Sequence, residues 1–173
     1  MTRRPDIQIL LALIHECQER EVSLTETTAQ QILFLYQELS NDQVFRFEWS
    51  SWSPECFNIL EVLNELRWFQ LARYETLPDG SATLCLTSKG VSRLQASSQE
   101  LGKAIEDYLA WPFQPSGSLV SALYMQRYWD KKIFKQEFEA RFPNLSAEKV
   151  LRELATLAKP IDSEERLPEE ACV

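Results

Sequence analysis

The order of the elements between Thr27 and Lys89 constrains this chain more than any other feature. Its pattern predicts a helix, a short strand, a second helix, a two-stranded hairpin and the start of a third helix. That order is the plan of a winged helix-turn-helix. We therefore expect a mainly α fold with a small β-hairpin, of the α+β class.

Apolar residues at helical spacing predict two helices before the strand. We expect Asp6 to cap the first, which runs to about Arg20 and is buried on more than one side. The stretch Ser23 to Glu26 has the spacing of a capping box and predicts the start of the second helix. A start within 25–28 would move that helix by one turn. The run 44–49 then favours a short strand.

The next helix is the presumed recognition helix. Ser53 suits an N-cap and Pro54 the first helical position, so the pattern predicts a helix from Ser53 to Arg67. Strand candidates follow at 68–74 and 82–86. Between them, Pro78 to Gly80 has turn chemistry, which predicts an antiparallel hairpin over 69–86, the wing.

A long helix is predicted over 88–110, after which 111–117 breaks the pattern. We expect a winged-helix domain at 1–110, a small helical appendage at 117–160 and an acidic, mobile tail at 161–173. Spacings of three and four form a short seam in the long helix, and the pattern leaves open whether it lies on its own domain or joins two chains. The candidate seam residues are Val91, Leu94, Leu101, Ile105 and Tyr108.

Charge and composition restrict the function. The net charge is −8 and the pI about 4.8, which disfavours a sequence-independent grip on phosphates. Four cysteines lack a CxxC pair, and the longest apolar run, 9–14, is too short to span a bilayer. A soluble, reducing, cytoplasmic setting without a membrane is therefore expected.

No catalytic constellation is evident. His15 with Cys17, and Pro54 with Cys56, resemble fragments of a zinc deaminase signature but lack its spacing and its second Cys. Neighbours two apart on a helix do not face the same way, so buried thiols and a structural histidine are the favoured interpretation. We expect no enzyme activity, no metal and no cofactor.

Three surfaces are candidates for binding. Trp49, Trp52 and Trp68 lie around the presumed recognition helix, where they form either a protein interface or the closure of the core between wing and helix. A basic and aromatic segment near 124–141 suits single-stranded nucleic acid or a solvated helix face. The candidate partner surface is Trp49, Trp52, Glu55, Asn58 and Arg67. The candidate nucleic-acid contacts are Arg3, Arg4, Arg67, Arg127, Lys131, Lys132 and Lys135.

Five short pieces resemble a known family. They are 31–37, rich in Leu and Phe, the Phe-x-Phe strand at 45–48, the helix start at 53–57, the Leu-x-x-Leu at 63–66 and the Leu-Thr-x-x-Gly at 86–90. Together they resemble the YwgA-like and SocA/Panacea group of winged-helix proteins, over about the first 95 residues. The segment 49–54 replaces the Gly-Pro element of that group. The resemblance implies a regulator or a protein-neutralising partner and not an enzyme.

The expected function is a non-enzymatic winged-helix module that binds a protein partner. The presumed recognition helix is acidic, and carboxylates there repel phosphates. The alternative is a dimeric winged-helix transcriptional regulator that binds duplex DNA. A homodimer through the 91–108 seam stays open in both cases.

Overall fold

The computed structural model describes residues 4–40, 42–50, 53–95, 99–128 and 130–157. Within these ranges the protein is mainly helical with two small antiparallel hairpins, which confirms the expected α+β composition. Its contacts divide the chain into two units, a first unit over 1–112 and a second unit over 113–173.

The elements of the first unit are α1 (Pro5–Glu19), α2 (Glu26–Ser40), β1 (Glu48–Ser50), β2 (Ser53–Glu55), α3 (Phe57–Trp68), β3 (Ala72–Thr76), β4 (Ala82–Leu86), α4 (Ser88–Arg93) and α5 (Gln99–Ala110). The second unit contains α6 (Gly117–Tyr128), α7 (Lys131–Arg141) and α8 (Ala147–Leu157). In the first unit, α1 packs against α3, β4, α4 and α5, and its residues 10–14 are all buried. The expectation that α1 is buried on more than one side is confirmed.

The starts of the first two helices differ from the prediction. Asp6 lies inside the first turn of α1, which begins at Pro5. The Oγ1 of Thr25 accepts a hydrogen bond from the backbone N–H of Thr28 at 3.2 Å, so α2 starts two residues later than a Ser23 capping box requires, within the alternative start at 25–28. The reason is Leu24, whose backbone is bonded along β4 and therefore cannot be helical.

Leu24 lies against the outer edge of β4. The backbone N–H of Leu84 donates to the carbonyl of Leu24 at 2.9 Å, and the N–H of Leu24 donates to the Oγ1 of Thr83 at 2.8 Å. A short extended segment between α1 and α2 thus continues the β3–β4 hairpin on one side.

The prediction that Ser53 caps a helix is wrong. Residues 48–50 and 53–55 pair as the antiparallel hairpin β1–β2, with Trp49 opposite Pro54, and α3 begins only at Phe57. The buried Gln30 on α2 explains the delay, because its Oε1 accepts from the N–H of Cys56 at 2.7 Å. Glu55 therefore lies on a strand and not on the presumed recognition helix.

The predicted antiparallel hairpin with its turn at 78–80 is confirmed. β3 and β4 pair in antiparallel register from Ala72 opposite Leu86 to Thr76 opposite Ala82, and the turn contains Gly80 at φ +86°. The strand starts later than expected, because Trp68 still belongs to α3.

Both α1 and α3 end in the same way. After α3, the N–H of Leu71 donates to the carbonyl of Leu66 at 2.7 Å, and the N–H of Gln70 donates to that of Arg67 at 3.0 Å. This pair of bonds is a Schellman motif, whose left-handed position is usually glycine. Here Gln70 occupies it at φ +58°, and Glu21 does so after α1 at φ +54°.

The single helix predicted over 88–110 is wrong. α4 ends at Arg93, the backbone of the next residue Leu94 is extended with ψ 119°, and α5 starts at Gln99. The side chain of Gln8 on α1 forms hydrogen bonds with the backbone on both sides of Leu94. Its Oε1 accepts from the N–H of Gln95 and its Nε2 donates to the carbonyl of Arg93, both at 3.1 Å.

The candidate seam therefore does not form one stripe. Leu101, Ile105 and Tyr108 are buried within their own chain, where α5 packs on α2 and the hydroxyl of Tyr108 donates to Gln31 at 2.6 Å. Val91 is exposed on α4, and Leu94 is half-buried at the break. The three seam residues on α5 are therefore part of the core of their own chain.

The second unit is a small helical assembly in which α6, α7 and α8 pack on one another. An aromatic stripe lies on α7 and just after it, where the rings of Phe134 and Phe138 lie 5.3 Å apart and those of Phe138 and Phe142 4.9 Å apart. Before α8, the Oγ of Ser146 accepts a hydrogen bond from the N–H of Lys149 at 3.4 Å. The predicted acidic tail lies outside the described residues.

Candidate protein-interaction surface on the third helix

One side of α3 is built to face the core and the opposite side to face solvent. Ile59, Val62, Leu63 and Leu66 are buried. The opposite face is the line Phe57, Glu61, Asn64 and Trp68, spaced by four, three and four residues, which places all four on one side of a helix. We call these four residues the α3 stripe, and each is exposed.

The ends of the α3 stripe are aromatic. Phe57 is 75% exposed and Trp68 is 84% exposed, and Phe69 directly after the helix is 56% exposed. The two stripe aromatics lie about 16 Å apart along the helix axis, because each residue adds about 1.5 Å. Large exposed aromatics are informative since burying one contributes about 1.5–3 kcal/mol. Trp68 therefore does not close the core between wing and helix.

The other two tryptophans of the expected cluster differ from Trp68. Trp49 on β1 is half-buried, with its ring centroid 6.3 Å from that of Phe34. Trp52 lies outside the described residues. The aromatic feature that the structure places on the presumed recognition helix is thus Phe57 with Trp68, and sequence reasoning named only the second.

The wing fixes one flank of α3. The guanidinium carbon of Arg67 lies 4.8 Å from the centroid of the Tyr74 ring, and the hydroxyl of Tyr74 donates to the Oε1 of Glu26 at 3.3 Å. Partial burial and the nearby Glu26 carboxylate raise the pKa of Tyr74. Arg67, a candidate for both partner and DNA contacts, is therefore already engaged by an aromatic ring.

Arg4 covers the other flank. Its Nη1 lies 2.7 Å from the Oε2 of Glu65 on α3, and its Nη2 lies 3.0 Å from the Oδ2 of Asp6. Hydrogen bonds to these two carboxylates raise the pKa of Arg4. Glu65 is half-exposed, so this ion pair lies at the edge of the α3 stripe.

The remaining predicted site residues lie on several elements. Asn58 is exposed in its first turn, next to the stripe. Arg127, Lys132 and Lys135 are exposed in the second unit, and Arg3 and the side chain of Lys131 are outside the description.

The described residues contain no group of three or more His, Cys, Asp or Glu side chains that fits a metal ion. His15 is half-buried on α1. Burial raises the pKa of the Cys17 thiol to about 12, so this sulfur stays protonated and is a poor nucleophile at neutral pH. Among the described helices, none has the length and apolar character to cross a membrane.

The α3 stripe had a signal in the sequence. Its spacing of four, three and four is as regular as that of the buried face, but with a helix start predicted at Ser53 the candidate partner surface included Glu55 and Asn58 and left out Phe57. Comparison with family models, curated proteins and solved structures found no match for this chain.

Proposed function

We propose that this protein is a non-enzymatic interaction module on a winged-helix scaffold, of the regulatory or adaptor kind, which binds a protein partner through the α3 stripe. The observation that supports this most directly is the pair of exposed aromatics, Phe57 and Trp68, at the two ends of one helix face. Tryptophan is enriched among the residues that dominate interface energetics.

The topology supports the scaffold. Helix, extended segment, two helices and a wing follow one another as α1, Leu24, α2, α3 and β3–β4, and Leu24 is hydrogen-bonded to β4. In a helix-turn-helix the second helix of the pair is presented to the ligand. α3 occupies that place here, although the hairpin β1–β2 replaces a tight turn before it.

Charge favours a protein over a nucleic acid. Residues 1–112 contain nine lysines and arginines against sixteen acids, a net charge of −7. The arginines nearest α3 and the wing are engaged, Arg4 with Glu65, Arg67 with Tyr74, and Arg73 with Glu75 at 2.7 Å. Duplex DNA binding rests on cations that displace counterions, and the excess of acids in residues 1–112 disfavours it.

The experiment places a photo-crosslinking amino acid at position 68 of the full chain, and at position 109 as the control. Leu109 is 50% exposed on α5, so the two positions offer comparable access to solvent. We expect a crosslinked protein from the native extract at position 68 and not at position 109. Equal crosslinking at both positions would contradict the proposal.

The same scaffold serves DNA readers, so a low-salt mobility-shift assay is the competing test. A sequence-specific shift that is lost in Arg67→Ala would favour the dimeric DNA-binding regulator instead.

A further inference from the structure

The α3 stripe has a repeated chemical feature. Phe57 and Glu61 are four residues apart, and Glu65 and Trp68 are three apart, so each aromatic ring has a carboxylate one helical turn away. The centres of these two aromatic–carboxylate pairs lie about 11 Å apart along the helix. Aromatic faces attract cations, and a neighbouring carboxylate adds a charge-assisted hydrogen bond.

One of the two pairs already holds a cation. The guanidinium of Arg4 forms an ion pair with the carboxylate of Glu65, with Nη1 2.7 Å from Oε2. In the part of the chain that the structure describes, no Lys or Arg lies within ion-pair distance of Glu61. An exposed ion pair contributes only about 0–1 kcal/mol, so a partner's cation can replace Arg4 at little cost.

We infer that the partner of the α3 stripe is a basic amphipathic helix, with Lys or Arg at positions i and i+7 and an apolar residue between them. This inference rests on the proposed function and names the chemistry of its partner. Two cations seven residues apart on a helix are about 11 Å apart, which matches the two aromatic–carboxylate pairs. The apolar residue would lie over the middle of the stripe, where Leu60 is half-buried beside Asn64.

Charge complementarity favours this partner over a second copy of the chain. The first unit has a net charge of −7, so two copies repel each other, whereas a basic helix is attracted over several ångströms. In an antiparallel pair of α3 helices, Glu61 and Glu65 of one copy would also lie near the same residues of the other. Such a pairing leaves carboxylates facing carboxylates, which is unfavourable.

The test uses three synthetic helical peptides in titrations with the full chain, monitored by Trp fluorescence and calorimetry. The first has Lys at i and i+7 with Leu between them, the second has Glu at those positions, and the third has the same composition as the first with its lysines on opposite faces. We expect only the first to bind, and its affinity to fall as salt is raised, because screening weakens exposed charge pairs.

Matched variants locate the site. Glu61→Gln should weaken binding of the first peptide by about fivefold. Glu100 is an exposed acid on α5, and Glu100→Gln should leave that affinity unchanged. Trp68→Ser should weaken binding of the first peptide by about tenfold. Val91 is 52% exposed, and Val91→Ser should not change that affinity. Arg4→Ala frees Glu65 and should strengthen binding by about threefold, unlike Arg73→Ala on the wing, which makes the same change in charge.

The outcomes separate the two proposals. Binding of the acidic peptide, equal binding of the third peptide, or equal effects of Arg4→Ala and Arg73→Ala would overturn the basic-helix inference. If crosslinking at position 68 captures a partner whose contacting segment is acidic, the proposed function stands and this inference falls. Light scattering that shows a dimer lost in Trp68→Ser would overturn it in favour of a second copy.

Discussion

The side chain of Gln37 on α2 holds both backbone groups of Phe45. Its Oε1 accepts from the N–H of Phe45 at 2.6 Å, and its Nε2 donates to the carbonyl of the same residue at 2.8 Å. Gln37 is 3% exposed, so neither backbone group has water as a substitute. This contact orders the segment between α2 and the β1–β2 hairpin without any regular secondary structure there.

Replacing Gln37 by Leu keeps the volume and removes both hydrogen bonds. Leaving a buried donor or acceptor unsatisfied costs about 1–3 kcal/mol, so we expect the free energy of unfolding to fall by about 3 kcal/mol. Urea denaturation measures this loss. Gln43→Leu, at an exposed position in the same connection, is the control and should change stability by less than about 0.5 kcal/mol.

Gly90 on α4 tolerates no side chain. A Cβ built there would lie 2.0 Å from the carbonyl oxygen of Leu71, which is backbone and already accepts from the N–H of Thr87. We expect Gly90→Ala to lower the free energy of unfolding by at least about 3 kcal/mol. Gly102→Ala is the matched control, because its Cβ would meet only the flexible end of Arg20 at 2.8 Å. Similar losses in both variants would contradict the argument.

Gln70 and Glu21 occupy left-handed positions that glycine adopts without strain. A non-glycine residue in this conformation costs about 1–2 kcal/mol. Glycine removes that cost but loses more backbone entropy on folding, so the net gain in stability is smaller. We expect Gln70→Gly to raise the free energy of unfolding by about 0.5–1 kcal/mol. Thermal melts of Gln70→Gly and Gln70→Ala provide the comparison, and a less stable glycine variant would refute the reasoning.

Leu101 tests whether α5 is a core helix or a dimer helix. Its side chain is 0% exposed within one chain, so a charge at this position has no access to water. We expect Leu101→Glu to unfold the first unit, with a loss of more than about 3 kcal/mol, and not to yield a folded monomer. Circular dichroism and light scattering distinguish the two results. Val91→Glu, on the exposed seam position, should stay folded.

Cys17 should make the protein less stable at high pH. Its pKa is raised to about 12 in the folded state by burial, against about 8.5 in an unfolded chain. The folded state therefore binds more protons above pH 9, and the free energy of unfolding falls as pH rises from there towards 12. Tyr74, Cys85 and Tyr108 also have raised pKa values, so urea melts at several pH values should show a steeper loss of stability in the wild type than in Cys17→Ala.

Local chemistry determined which parts of this fold were predictable. The hairpin turn at 78–80 needs only Pro, Asp and Gly in sequence, and the buried helix α1 needs only apolar residues at helical spacing. Both are confirmed because neighbours in the chain specify them. The winged-helix assignment and the family resemblance stay predictions.

The wrong predictions share a physical cause. Each of three boundaries depends on a residue distant in sequence. The side chain of Gln30 accepts from the N–H of Cys56 before α3, the backbone of Leu24 bonds to β4, and the side chain of Gln8 bonds to the backbone at the break after Arg93. Ser53-Pro54 by itself suits a helix start. The buried side-chain amide of Gln30 on α2 instead binds the N–H of Cys56, and α3 begins at Phe57. The α3 stripe was only half recognised for the same reason, because its first aromatic residue depends on where α3 begins.

The packing of α5 on α2 has a consequence for synthesis of the chain. Gln31 and Tyr108 are bonded although 77 positions separate them, and α1 also rests on α5. A nascent chain from which α5 has not yet emerged exposes the apolar faces of α1 and α2, because the helix that covers them is still inside the ribosome. The first unit therefore completes its fold late in its own translation, and until then it presents a surface that chaperones recognise.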